Sequence, residues 1–174
     1  GHGLAGNHLV VRDYDPYRAI NALRPDLTQV VEKTGRLLLA PHLAEFLAPS
    51  GRVCVSVGTG STGNSMLHNP FPDVWGGATI NPEICQPAAL QDQLNLRFGK
   101  WPEKSLVQTQ RVAHAVRIMT EYVLPELDPA VAIFWSSDPD STQHSSGVGS
   151  DDGRQALRGA DAQVGALMKW LEQV

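Results

Sequence analysis

The sequence predicts an α/β fold with a mainly parallel sheet. Three observations carry that prediction. The run 130–135 (AVAIFW) is continuous, apolar and of strand length, the pattern of a strand buried on both faces. A second strand signal, 52–57 (RVCVSV), is bounded by Ser50-Gly51 before it and Gly58 after it. Helical periodicity fills the chain between and after these runs, so strands alternate with helices, as expected for helices packed on a parallel sheet.

Taken in order, residues 1–14 run from a glycine-rich turn into a short apolar stretch, 9–12, of strand character. Helix potential follows around 26–34 within a polar, proline-punctuated segment. A further helix is expected from Pro41, because proline suits a first helical turn and Leu43, Phe46 and Leu47 share one face. After the strand at 52–57, residues 58–85 are rich in Gly, Pro, Asn and Ser and read as a long flap-like excursion. Residues 88–98 are helix-compatible. Residues 105–124 form a stronger helix, with Val112, Val116, Met119 and Val123 on one stripe, stopped before Pro125. Asp138-Pro139-Asp140 breaks the strand at 130–135. Residues 153–174 carry the strongest periodicity, with Leu157, Ala160, Val164, Leu167, Leu171 and Val174 spaced by three or four, and Asp151 or Asp152 as cap.

Composition narrows the class. The chain has 174 residues, 42% of them hydrophobic and 18% charged, with 16 glycines and 12 prolines. That balance supports a buried core and excludes a coiled coil, a collagen or a disordered tail. The formal charge of −4 and the lack of a basic block argue against a large nucleic-acid or membrane-surface footprint. No apolar run approaches the roughly 20 residues of a membrane span. No signal peptide is legible, and the compartment stays open. Cys54 and Cys85 are too few for a disulfide framework. Cys54 reads as a buried small hydrophobe, and a Cys54–Cys85 bridge is the alternative. The chain opens on Gly1-His2-Gly3 without Met and ends at Val174 inside a predicted helix, which reads as an internal slice of a longer domain.

Three segments could carry chemistry. The first follows the strand at 130–135. Asp138 is placed to cap a helical turn and Pro139 to begin it. Asp140 and His144 then stand at i and i+4, so a carboxylate and an imidazole leave one face and can ligate a divalent metal. The alternative is an Asx turn with an idle surface histidine. The carboxyl ends of strands are where open α/β sheets place ligands, which favours the first reading. Trp135, at the same strand end, either stacks on a flat substrate group or fills the core. The second segment, Gly58-Thr59-Gly60-Ser61-Thr62-Gly63, fits G-x-G-x-x-G. That fingerprint needs a helix at its third glycine, and the prolines and glycines that follow predict none, so a plain Gly/Ser turn is expected. The third is Gly1-His2-Gly3-Leu4-Ala5-Gly6-Asn7, where Asn7 either donates its amide to an oxyanion or sits in a left-handed turn. His42, His68 and His114 have no partner in local sequence. His114 falls off the apolar stripe and is expected to face solvent.

Two of these segments resemble one family. His2-Gly3-Leu4-Ala5-Gly6-Asn7 resembles the H-G-[ILV]-x-x-N stretch of the type I phosphodiesterase/nucleotide pyrophosphatase family, within the alkaline phosphatase superfamily. Pro139-Asp140-Ser141-Thr142-Gln143-His144-Ser145-Ser146-Gly147 resembles that family's P-D-x-x-G-H-x-x-G. Gln143 stands where glycine is usual, which leaves the turn geometry open but touches no ligand. The following helix, with Asp161 and Leu167, is similar to the segment that follows in the family. Thr59-Gly60 mimics the family's T-G, but no H-G follows it, and His2-Gly3 is the better match.

The resemblance implies an alkaline-phosphatase-like sandwich with a mainly parallel central sheet flanked by helices, incomplete here. Residues 1–174 would be a partial catalytic domain lacking the N-terminal nucleophile segment and the C-terminal metal-ligand segment. The implied activity is metal-dependent hydrolysis of phosphodiester or nucleotide pyrophosphate bonds through a phospho-enzyme, with two divalent ions, zinc by family habit, as cofactors. Asp140 and His144 would ligate metal. Asn7 would act catalytically on a phosphoryl oxygen and bind substrate, and Trp135 would pack against the leaving group. The implied partners are small phosphodiester or nucleotide substrates. Rival readings are a phosphomonoesterase, phosphonate hydrolase or sulfatase-like member of the superfamily, or a non-catalytic α/β nucleotide-binding module using the 58–64 loop.

Overall fold

The computed structural model describes residues 3–173. Gly1, His2 and Val174, which the sequence reading uses, lie outside them. A four-stranded sheet is built from β3 (Cys54–Gly58), β4 (Ala78–Asn81), β5 (Ile84–Gln86) and β6 (Val131–Trp135), in the order β5-β4-β3-β6. β3 runs parallel to both β4 and β6, and β5 returns antiparallel to β4. The sheet is mixed and mostly parallel, as predicted. A separate antiparallel ribbon joins β1 (His8–Val10) to β2 (Ala19–Asn21). β1 is the strand expected at 9–12.

Alternation along β3 places helices on both faces. Val55 and Val57 join a core with Ile80, with Leu94 and Phe98 of α5 (Leu90–Phe98), and with Ile118 of α6 (Thr109–Ile118). Ser56 points the other way and bonds His68 of α3 (Thr62–His68). A second core packs the ribbon residues Leu9 and Ile20 against Leu27 and Val30 of α1 (Arg24–Thr34) and Met66 of α3. Each such fully buried side chain contributes on the order of 1.5–3 kcal/mol of transfer free energy. α1 carries Pro25 in its first turn and ends on Gly35, whose φ of 74° suits only glycine well.

Several expectations are corrected. The excursion at 58–85 is not a flap, since it contains α3, α4 (Pro72–Trp75), β4 and β5. A helix does start within 58–64, because Ser61 caps α3 by accepting from the Asn64 N–H at 3.2 Å. The helix expected from Pro41 begins later, as α2 (Leu43–Leu47), with His42 and Glu45 closing a capping box. Pro125 does not stop the helix before it. The chain continues beyond α6 as a π-helical segment, Met119–Leu127, whose wider i→i+5 turn takes in the proline. His114 is not solvated but buried, its ring 4.6 Å from that of Trp101. β6 is not buried on both faces. Among the described residues it is an edge strand, paired only with β3, and it exposes Ala132 and Trp135.

The long C-terminal helix forms as α8 (Asp151–Leu171), but Ser150 caps it rather than either aspartate, its Oγ accepting from the Gly153 N–H at 3.0 Å. Its buried positions are Gly153 and Ala156, while Leu157, Val164 and Leu171 of the predicted stripe are exposed. Both cysteines are free, with Cys85 in β5 rather than a loop, and burial pushes its thiol up to about 11. Among the described residues, no helix is long and apolar enough to cross a membrane.

Candidate active site

The parallel register brings the ends of β3 and β6 side by side, pairing Gly58 with Trp135. The Thr59 N–H donates to the Trp135 carbonyl at 2.9 Å and so carries the ladder one residue past the strands. A cavity of about 800 Å³ opens at these carboxyl ends, the position that open α/β sheets give to ligands. Asn7, Thr59, Gly60, Trp135, Ser137 and Asp140 are among its lining residues. Three of the four predicted site residues therefore meet in one cavity, although the chain separates Asn7 from Trp135 by most of its length. The fourth, His144, is not in the lining itself but faces Asp140.

The Asp140–His144 pair sits on α7 (Asp140–Ser146). His144 Nε2 lies 3.4 Å from Asp140 Oδ1, and both side chains are more than three-quarters exposed. The contact is an exposed carboxylate–imidazole pair one helical turn apart on one face of α7. Among the described residues no third His, Cys, Asp or Glu joins them. Gln143, where the family has glycine, is an ordinary helical residue here, its N–H donating to the Pro139 carbonyl at 2.9 Å.

Asp138 has a different task from the expected helix cap. It is buried, and its carboxylate accepts from the Gln108 N–H at 2.6 Å and from the Thr142 hydroxyl at 2.7 Å. It thus ties the start of α6 to α7 and fixes the turn that presents Asp140. On the neighbouring strand end, Thr59 Oγ1 accepts from the Ser137 N–H at 2.9 Å and lies 3.0 Å from Ser137 Oγ. The two loops that floor the cavity are locked together by this pair.

Trp135 is a surface of the cavity, not a core residue, with 46% of it exposed. The His68 ring supports it, centroid to centroid 5.7 Å, and His68 Nδ1 is held 2.7 Å from Ser56 Oγ. Burial lowers the His68 pKa, which favours a neutral, apolar backing for the indole. Gly60 passes so close that a Cβ there would lie 2.8 Å from Trp135 Cδ1.

Asn7 does not adopt the left-handed conformation; Asp128 is the one non-glycine residue with positive φ among those described. The Asn7 carbonyl accepts from the Ala22 N–H at 2.8 Å, and Asn7 lines the cavity. Ala22 in turn rests on α3, where Gly63 leaves no room for a side chain: a Cβ would lie 1.7 Å from the Ala22 carbonyl oxygen. The third glycine of the G-x-G-x-x-G run is therefore a packing residue that seats the Asn7 ribbon. Asn81, buried at the end of β4, donates to the Gly60 carbonyl at 2.9 Å and the Ser65 hydroxyl at 3.0 Å. Asn81, Gly63 and Asp138 position the site, and no local sequence signal marks them for that work.

An α/β sheet with a cavity at its strand ends, lined by Asn7, Trp135 and Asp140, has the layout of a ligand-binding α/β protein. The family model for type I phosphodiesterase / nucleotide pyrophosphatase matches residues 2–174, and the chain belongs to that family. The mixed sheet flanked by helices is consistent with part of an alkaline-phosphatase-like fold. The family is one of hydrolases, in general metal-dependent, acting on small phosphodiester or nucleotide substrates. No curated protein and no solved structure matches the chain.

Proposed function

We propose that the protein carrying this chain is a zinc-dependent hydrolase of phosphodiester or nucleotide pyrophosphate bonds, working through a phospho-enzyme. The observation that carries this is convergence: Asn7, Trp135 and Asp140, drawn from distant segments, line one cavity at the ends of β3 and β6. Asp140 and His144 would hold one of two divalent ions. Such an ion, when bound, supplies a Lewis acid at the phosphoryl oxygens. Asn7 donates an amide N–H to a phosphoryl oxygen, where charge develops in the transition state. Trp135 offers its exposed indole to a flat leaving group, with His68 behind it. Two ligands cannot complete a zinc shell. We place the nucleophile and the remaining ligands in family segments outside residues 1–174, which makes this chain part of a catalytic domain.

The test is a substrate panel on the full-length protein loaded with zinc. It comprises a phosphodiester, a nucleotide pyrophosphate, a phosphomonoester, a phosphonate ester and a sulfate ester. Preferred turnover of the first two, abolished by chelator, is the expected result. Preference for any of the other three, or chelator-resistant turnover, would overturn the assignment.

A further inference from the structure

We propose that Arg111, with Lys104 at the rim, binds a second phosphate of the substrate and so selects nucleotides bearing phosphoanhydrides over singly charged phosphodiesters. This rests on the hydrolase reading above. Both side chains line the 800 Å³ cavity that holds Asn7 and Asp140. That volume is in the range of pockets for whole small-molecule ligands, more than one phosphate needs.

Arg111 is built into the wall rather than waving from it. It is half-buried in the first turn of α6, and its Nε–H donates to the Pro102 carbonyl at 2.8 Å. One corner of the guanidinium is thereby pinned, leaving four of its five N–H donors for other partners. Arg36, Arg97, Arg117 and Arg154 are each ion-paired with a carboxylate. Among the described residues no carboxylate lies within 4.0 Å of Arg111. A partly covered cation without an acidic partner keeps its remaining N–H donors open to an anion. Gln108 and Arg111 bring the start of α6 to the cavity. The Asp138 carboxylate already takes the Gln108 N–H at 2.6 Å, so the guanidinium itself is the donor left for an anion there. The planar guanidinium fork matches phosphate oxygens two at a time. The scissile phosphoryl group already has Asn7 and the Asp140–His144 pair, so the free donors of Arg111 suit a neighbouring phosphate.

The test uses the full-length, metal-loaded protein with two substrates, a nucleoside 5′-triphosphate and the p-nitrophenyl ester of a nucleoside 5′-monophosphate. In Arg111→Met the ratio of KM for the triphosphate to KM for the ester should rise about tenfold, with partial recovery in Arg111→Lys, since a charged hydrogen-bonded contact is at stake. An unchanged ratio, or equal losses on both substrates, would overturn the proposal. Should Arg111→Met fail to fold, Lys104→Met at the exposed rim should raise the same ratio about threefold, the effect of one screened surface charge, and an unchanged ratio there would overturn it. If the wild-type protein hydrolyses neither substrate, the hydrolase reading fails separately. Binding of inorganic pyrophosphate by calorimetry then decides the Arg111 site: weaker binding to Arg111→Met supports it, equal binding overturns it.

Discussion

Gly63→Ala should disable the site without touching a single group that contacts substrate. Gly63 lies in the first turn of α3, where an added Cβ would stand 1.7 Å from the Ala22 oxygen, 2.7 Å from the Ala22 carbonyl carbon and 3.1 Å from Leu23 Cα. Ordinary contact begins at 3.4 Å, so the ribbon segment must retreat by roughly 1.5 Å or more. Backbone, not a flexible side-chain end, has to move. Ala22 is hydrogen-bonded to the Asn7 carbonyl at 2.8 Å, so Asn7 moves with it. Overpacking of this kind costs about 1–3 kcal/mol. For a domain of this size that lowers Tm by roughly 2–12 °C. A misplacement of about 1 Å at a positioning group costs on the order of 100-fold in rate. The assay is kcat/KM on a phosphodiester, with Tm by calorimetry and zinc by elemental analysis, on the full-length variant. The expected outcome is an activity loss of about 100-fold with zinc retained, because Asp140 and His144 stand on α7. Gly165→Ala, whose Cβ meets nothing within 4 Å in α8, is the control and should gain up to about 1 kcal/mol from helix propensity. Wild-type activity in Gly63→Ala, or loss of metal along with activity, would refute the reasoning.

Other outcomes follow from the same structure. Asp138→Ala leaves the buried Gln108 N–H without its acceptor, whereas the Thr142 hydroxyl keeps the Leu106 carbonyl at 2.9 Å. Urea denaturation should show a loss of about 1–3 kcal/mol, and a midpoint equal to wild type would remove Asp138 from its tying role. Acid should destabilise the fold through buried histidines. Burial depresses the pKa of His42, against the opposing pull of the Leu67 carbonyl and Glu45, and it depresses His68 likewise. The unfolded chain, with histidines near 6.5, therefore takes up protons first as pH falls. Stability is full above about pH 6.5 and declines toward the depressed folded values, by at most about 1.4 kcal/mol per pH unit for each group. His42→Asn, which keeps a helix-capping residue, should flatten the fall in Tm between pH 7 and 5; an unaltered slope would contradict the assignment.

The elements readable from sequence were those with a local hydropathy signal. β3 and β6 announce themselves as apolar runs, although β6 is an edge strand with no buried residue, and α6 by spacing. β4 escapes because two of its four residues, Thr79 and Asn81, are polar yet 0% and 1% exposed. Thr79 donates to the Asn69 carbonyl and Asn81 to the Gly60 carbonyl, so burial there rests on hydrogen bonds that no local pattern encodes. α3 escapes because a helix containing Gly63 has poor propensity, and what favours it is contact with Ala22 some forty positions earlier. His114 misled because a ring can be buried by stacking on Trp101 while standing off the apolar stripe. In the site the same division holds. Asp140, His144 and Asn7 are candidates already in the sequence because short motifs mark them. Asp138, Asn81, Gly63 and Arg111 are not, because each acts through a partner distant in sequence.

The Asp140–His144 pair as a metal site is the central claim, and metal content tests it most directly. Full-length wild-type protein, Asp140→Ala and His144→Ala would be purified identically and their zinc measured by elemental analysis. Wild-type protein should retain two zinc ions, and each variant should lose the one that Asp140 and His144 would hold, since removing one ligand of a four-ligand shell abolishes tight binding. Zinc content unchanged in either variant would remove that residue from the ligand set and contradict the site as drawn.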